Sequence, residues 1–261
     1  MTDKPYNTML NAGVGMINET ISLLNLWQPG MSLSELNKVA LESGRFPKIT
    51  ARRLRNLLAE CISPRYLKNN GASAILLKSV QEHFSTNEVK QLLFIYTCRD
   101  SQILTDFARQ VYWGAYISGK ETLSTEEAFD FVVRANQDGK TFKPWSESTL
   151  KRVARYLTGS CADFGLLETG AKTNRKILPF QIEPKVMAIL AYDLHFKGYG
   201  DNRVVNDQEW TLFGLEKDDV TNEFKRLSYR GWWIVQTAAD VVRIGWKYQA
   251  MQELIDVLIK E

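Results

Sequence analysis

Histidine and cysteine are scarce in this 261-residue sequence. The histidines are His83 and His195, and the cysteines are Cys61, Cys98 and Cys161. No two cysteines form a Cys-x-x-Cys pair, so a zinc site has no nucleus. Three widely spaced thiols are expected as small core residues rather than as a disulfide framework. No Ser–His–Asp or Cys–His arrangement can be built locally around either histidine, and only residues distant in sequence could complete one. A Walker-type phosphate loop and a Rossmann glycine fingerprint are both missing. The acidic pairs Glu126-Glu127 and Asp218-Asp219 stand at helix starts, where capping accounts for them. Nuclease chemistry with metal ions wants separated carboxylates near a lysine on a sheet, and little of the chain reads as sheet. The expectation is a protein that is not an enzyme and needs no cofactor or metal.

Long apolar runs are also missing. The best stretch, beginning at Val186, is interrupted by Asp193 and His195, well short of the roughly 20 residues a membrane-spanning helix needs. With no secretory signal in the first sixteen residues, the expected compartment is a reducing cytoplasm. Strong net charge is the third absence: 33 basic against 30 acidic residues leave +3. Any contact with nucleic acid must therefore rest on local clustering. What is present is ordinary, 44% hydrophobic and 24% charged, which suffices for a core at a length suited to about two domains.

Helical periodicity dominates, and the expected fold is mainly α. Helix-turn-helix or winged-helix-like modules stand at both ends, joined by a helical bundle, with short β-wings in the C-terminal half. In residues 1–71, Ser32-Leu33-Ser34-Glu35 reads as a capping box opening a helix, and Thr50 caps a second one through about Cys61. Two short helices across a Gly-containing turn suggest a helix-turn-helix. Residues 72–143 read as helical throughout, with capping boxes at Ser85–Glu88 and Ser124–Glu127, and form the bundle. In 144–206, a helix from Ser146 to Cys161 precedes a short strand at Gly165-Leu166-Leu167-Glu168, a polar turn at Thr169–Asn174 and a second short strand at Ile177–Ile182. That is the order of a recognition helix and wing. Residues 207–261 repeat it, with a helix at Lys217–Arg230, strands at Trp232–Val235 and Val241–Trp246 around a turn at Gln236–Asp240, and a terminal helix. Because adjacent strand residues alternate faces, one of Trp232 and Trp233 is expected inside and the other outside.

Projection at about 100° per residue gives the candidate contacts. Along the helix from Thr50, Leu54, Leu57, Leu58 and Cys61 share the core side. Arg52, Arg55 and Asn56 point away from it, with Arg53 on the flank and Arg45, Lys48, Arg65 and Lys68 nearby. Along the helix from Ser146, Leu150, Val153, Ala154, Leu157 and Cys161 form the apolar stripe. Ser148, Lys151, Arg152 and Arg155 share the outward face, and the following wing adds Lys172, Arg175 and Lys176. Cations of this kind contact phosphates, and arginine or asparagine can also read base edges. Both clusters are candidate DNA contacts, although a solvated basic face is the plainer alternative. The helix Lys217–Arg230 presents Thr221, Asn222, Lys225 and Tyr229, but Asp218 and Asp219 repel phosphate, so protein docking is the leading expectation there.

Two stretches carry a family resemblance. Ser32-Leu33-Ser34-Glu35-Leu36 followed by Arg52-Arg53-Leu54-Arg55, and Trp145 to Arg155 with Gly165-Leu166-Leu167-Glu168, resemble the BrxA family of bacteriophage-exclusion (BREX) systems over nearly the full length. The resemblance implies a small accessory component of a bacterial anti-phage operon. Its systems distinguish self from invading DNA by methylation, with other subunits carrying out methyl transfer and ATP hydrolysis. Family members are similar to winged-helix DNA binders, and no catalytic residues come with the resemblance. The combined expectation is a non-catalytic component that binds double-stranded DNA with modest, salt-dependent affinity, alongside other BREX subunits. The alternatives are a scaffold that docks those subunits without touching DNA, and a winged-helix transcriptional regulator.

Overall fold

The computed structural model describes residues 5–170, 172–238 and 240–261. Both expected wing turns thus include one residue, Ala171 or Ala239, that lies outside the described residues. The chain is mainly helical, with two small two-stranded antiparallel sheets. It divides into two units, one of Met1–Ser79 with Leu92–Pro179, the other of Val80–Gln91 with Phe180–Glu261.

The first unit begins with a 3-10 turn at Met9–Gly13, followed by α1 (Ile17–Leu26), α2 (Leu33–Glu42) and α3 (Ala51–Leu57). A π-helical turn at Leu58–Ile62 carries α3 into α4 (Ser63–Tyr66), and α5 (Lys68–Val80) follows. Helix α2 opens with the expected capping box. The Ser32 hydroxyl accepts from the Glu35 amide at 3.2 Å, and the Glu35 carboxylate accepts from the Ser32 amide at 2.8 Å. Hydrogen bonds from Ser32 hold the Glu35 carboxyl below its ordinary pKa. Thr50 caps α3 by accepting from the Arg53 amide at 3.2 Å. At the start of α5, Asn69, Asn70 and Gly71 are all left-handed, with φ of 51°, 56° and 76°. A Cβ on Gly71 would stand 2.2 Å from a ring carbon of buried Trp27, so only glycine fits the approach.

From α6 (Thr86–Asp100), the residues after Gln91 belong to this unit. There follow α7 (Gln102–Phe107), a π-helical turn at Ala108–Tyr112, α8 (Trp113–Ile117), β1 (Thr122–Ser124), α9 (Thr125–Gln137), α10 (Glu147–Asp163) and β2 (Asn174–Lys176). Strand β1 pairs antiparallel with β2, Leu123 opposite Arg175. On its other side the β2 segment is bonded to residues 166–168, through Glu168 N to Lys176 O at 2.9 Å and Leu178 N to Leu166 O at 3.0 Å. Strand β1 corrects the reading of residues 72–143 as helical throughout. Three residues are too few to show alternation, and Ser124 both ends the strand and caps α9 through the Glu127 amide at 3.0 Å. Phe94, Phe107, Val132, Leu157 and Leu166 are among its fully buried residues.

The second unit has a short N-terminal segment capped by Ser85 and Glu88. It continues with α11 (Pro184–Phe196), α12 (Asp201–Val205), a 3-10 turn at Gln208–Phe213, α13 (Lys217–Leu227), β3 (Trp233–Ala238), β4 (Val241–Trp246) and α14 (Met251–Leu258). Strands β3 and β4 form a hairpin with Trp233 opposite Trp246. The expectation that one of Trp232 and Trp233 faces out is wrong: their exposures are 0% and 1%. The strand starts at Trp233, so alternation does not govern Trp232. Each indole finds a partner inside, Trp232 Nε1 on the Glu261 carboxylate at 3.0 Å and Trp233 Nε1 on the Phe224 carbonyl at 2.8 Å. The Tyr192 hydroxyl donates to the Trp232 carbonyl at 2.5 Å. It also accepts from the Lys247 amide at 3.0 Å, fastening α11 to both ends of the hairpin.

Candidate nucleic-acid interface

Helix α3 sorts its residues as its periodicity dictates. Leu54 and Leu57, with Leu58 and Cys61 in the turn beyond, are buried, while Arg52, Arg53, Arg55 and Asn56 are exposed. Thr50, Arg52, Arg53 and Asn56 line a shallow depression whose other wall is Asn11, Ala12 and Glu60. Of the four cations expected nearby, one is buried and another is ion-paired. Arg65 is buried at 7% exposure, with its Nε unbonded among the described residues. It lies where a side chain on Gly13 would collide with its guanidinium. Lys68 is paired with Asp100 at 2.9 Å. Helical projection could not show this, because Arg65 lies beyond the π turn, where the register of α3 no longer applies.

Helix α10 divides just as cleanly. Leu150, Val153, Ala154, Leu157 and Cys161 are buried; Ser148, Lys151, Arg152 and Arg155 are exposed. Two acidic residues complicate the basic face. The Lys151 ammonium sits 2.5 Å from the Glu147 carboxylate one turn earlier. Lys172, in the loop before β2, sits 2.7 Å from Glu168. Those hydrogen bonds hold both carboxyls below their ordinary pKa. Arg152 donates to the neighbouring Thr149 hydroxyl at 3.3 Å. Arg155 borders a groove with Thr125, Glu126, Phe129, Lys151 and Ala154, where α9 lies beside α10.

The loop residues fall into separate roles. Lys176 is exposed. Arg175 is half-buried and donates from Nη1 to the Glu168 carbonyl at 2.9 Å, so it ties the loop's two ends together. Beneath it, burial pushes the Cys161 thiol far above its ordinary pKa, which leaves it an uncharged core residue.

In the second unit, α13 ends at Leu227, short of the expected Arg230; it exposes Asn222 and Lys225, the 3-10 turn Ser228–Arg230 after it exposes Tyr229, and Thr221 is half-buried with its hydroxyl on the Lys217 carbonyl at 2.8 Å. The arginines of the helix and the turn are paired, Arg226 with Glu223 at 2.6 Å and Arg230 with Glu261 at 3.1 Å. No helix among the described residues is long and apolar enough to cross a membrane, and no group of three or more His, Cys, Asp and Glu could hold a metal ion.

A family model described as BrxA matches residues 4–193. The chain belongs to the BrxA family. The match takes in α3, α10 and the segment that pairs around β2, and it ends inside α11, so the terminal hairpin lies beyond it. Membership implies a component of a BREX system, in a family considered non-catalytic. No curated protein matches the chain.

Proposed function

We propose that this chain is a non-catalytic accessory component of a BREX complex that binds double-stranded DNA through α10 and the loop following it. The observation that carries the reading is the order and pairing of elements around α10. Helices α7 and α8 precede β1, α9 and α10 follow, and residues 166–168 and β2 then come back beside β1. A helix, a strand, two helices and a returning hairpin that pairs with the first strand supports a winged-helix reading. In that comparison α10 takes the place of the recognition helix and residues 168–174 that of the wing. The module runs from Gln102 to Leu178 and draws on both middle segments of the sequence.

The chemistry of the α10 face agrees with this. Ser148, Lys151, Arg152, Arg155, Lys172 and Lys176 are exposed on the helix and wing, where cations meet phosphate and a helix can enter a major groove. In α3, Arg52, Arg53, Arg55 and Asn56 are a second candidate contact in the same unit. Arg175 is better read as the fastener of the wing. Phosphate contact dominates such an interface, so affinity falls steeply with salt and sequence preference is weak.

The charge balance of α13 favours a separate role for the second unit. Helix α13 and the β3–β4 hairpin also follow a winged-helix order, yet the arginines are paired and Asp218 and Asp219 lie exposed. That surface suits docking of another BREX subunit better than a phosphate backbone.

The test is duplex binding by fluorescence anisotropy for the parent, Arg152→Glu/Arg155→Glu and Arg52→Glu/Arg55→Glu. The α10 variant is expected to bind about tenfold or more weakly with an unchanged melting temperature. If both variants bind as the parent does, neither face touches DNA.

A further inference from the structure

The connection between α9 and α10 presents a feature that folding does not use. Phe142 is 87% exposed, the most exposed of the large hydrophobic residues described. A fully exposed phenylalanine forgoes the burial that normally stabilises it. Yet the segment around it is tightly built. The Asn136 side-chain oxygen accepts from the Thr141 hydroxyl at 3.2 Å and from the Trp145 amide at 2.8 Å, closing the loop on both sides of Phe142. The Tyr6 amide donates to the Lys140 carbonyl at 2.7 Å, and Thr141 is buried beside it. Phe142 is thus held outward by a braced turn.

Its surroundings favour one kind of partner. Lys140 and Lys143 flank Phe142 in the sequence and are exposed, Lys140 with its ammonium 5.9 Å from the Tyr6 ring centroid; Pro144 follows, and after Asp138 no acid occurs through residue 146. The next acid along the chain, Glu147, is already engaged by Lys151. Two residues after the loop closes, α10 begins and carries Ser148 and Arg152 on its exposed face. Tyr229, the comparable exposed aromatic of the second unit, has arginines beside it that are paired with Glu223 and Glu261. An exposed aromatic in a basic stretch suits nucleic acid, where cations hold the backbone and the ring stacks on a base or wedges into a deformable step.

We infer that Phe142 is a base-stacking contact, placed by the Asn136 brace against an unstacked base of the DNA bound along α10. The inference rests on the DNA-binding reading of α10. Pulling a base out of the stack costs free energy, and a mismatched step has part of that cost removed in advance. The parent should therefore prefer a duplex with one central mismatch over its matched counterpart, by several-fold.

The test uses the full chain with matched duplex, mismatched duplex and a matched duplex carrying 2-aminopurine at a TA step. For Phe142→Ala, matched-duplex affinity is expected to fall about five- to tenfold, within the range of base–aromatic stacking. The mismatch preference and the rise in 2-aminopurine fluorescence seen with the parent should both disappear. Phe142→Trp should restore all three, which a merely structural role would not explain. If the parent and Arg152→Glu/Arg155→Glu behave as proposed for α10 but Phe142→Ala binds every duplex like the parent, the stacking inference is overturned and the ring is left to a protein partner. If the parent binds no DNA at low salt, the α10 reading fails and the stacking inference fails with it.

Discussion

At the scale of single residues, Gly71 and His195 show how much one position can be constrained. Gly71 ends a run of three left-handed residues and lies under the Trp27 ring. A Cβ there would both strain the backbone and displace a buried indole. Gly71→Ala should cost about 2 kcal/mol or more, read as a lowered denaturant midpoint with an unchanged slope. An effect within about 0.5 kcal/mol would mean that Trp27 yields easily. His195 stacks on Trp246 with ring centroids 4.3 Å apart. Burial lowers its pKa from the ordinary value near 6.5, against the opposing pull of Asp201. A base with a depressed folded-state pKa binds its proton more readily when unfolded. Stability is then complete above about pH 6.5 and declines as pH falls from there through the folded value. Between pH 7.5 and 5 the parent should lose more melting temperature than His195→Phe. Equal losses would show that the imidazole does not set that slope. The carboxyls held low by their partners, such as Glu35, begin to matter only below about pH 4.5.

At the scale of elements, what the sequence reveals is what is decided locally. The apolar stripes of α3, α9 and α10 are buried as their spacing dictates, and the boxes at Ser32, Ser85 and Ser124 close as their residue types dictate. Each needs only a few consecutive residues. Strand β1 was illegible because its existence depends on Arg175 and its neighbours, some fifty residues away along the chain. The burial of both Trp232 and Trp233 was illegible because it depends on where the strand starts and on Glu261 at the far end of the sequence. Among the candidate contacts, the exposed face of α10 was legible, but the carboxylates on Lys151 and Lys172 and the inward turn of Arg175 were not. Side-chain pairing across a loop has no sequence period. Caps allow a direct check at this scale. Thr50→Ala removes the acceptor for the Arg53 amide and should destabilise the first unit by about 1 kcal/mol. Because α3 carries Arg52, Arg53, Arg55 and Asn56, the same change should weaken any DNA contact made there, and Thr50→Ser should restore both. A Thr50→Ala protein as stable as the parent would mean that water caps α3 equally well.

At the scale of the whole molecule, a net charge of +3 is too small to draw DNA over the entire surface, so binding has to come from where the charges are placed. The first unit carries the exposed arginines of α3 and α10, while Arg226 and Arg230 of the second unit are paired with acids. Under the proposed function, DNA would meet the first of these surfaces and a protein partner the second. The BrxA match covers the first of these surfaces in full and leaves the terminal hairpin outside it. The central claim is that α10 and its wing hold duplex DNA by its phosphates. The most direct measurement is a salt titration of duplex binding for the parent and for Arg152→Glu/Arg155→Glu. Each phosphate contact contributes about −0.9 to the slope of log affinity against log salt. The expected result is a steep fall for the parent, and for the variant a shallower slope with weaker binding at every salt concentration. Binding that ignores salt, or identical slopes for the two proteins, would contradict the claim.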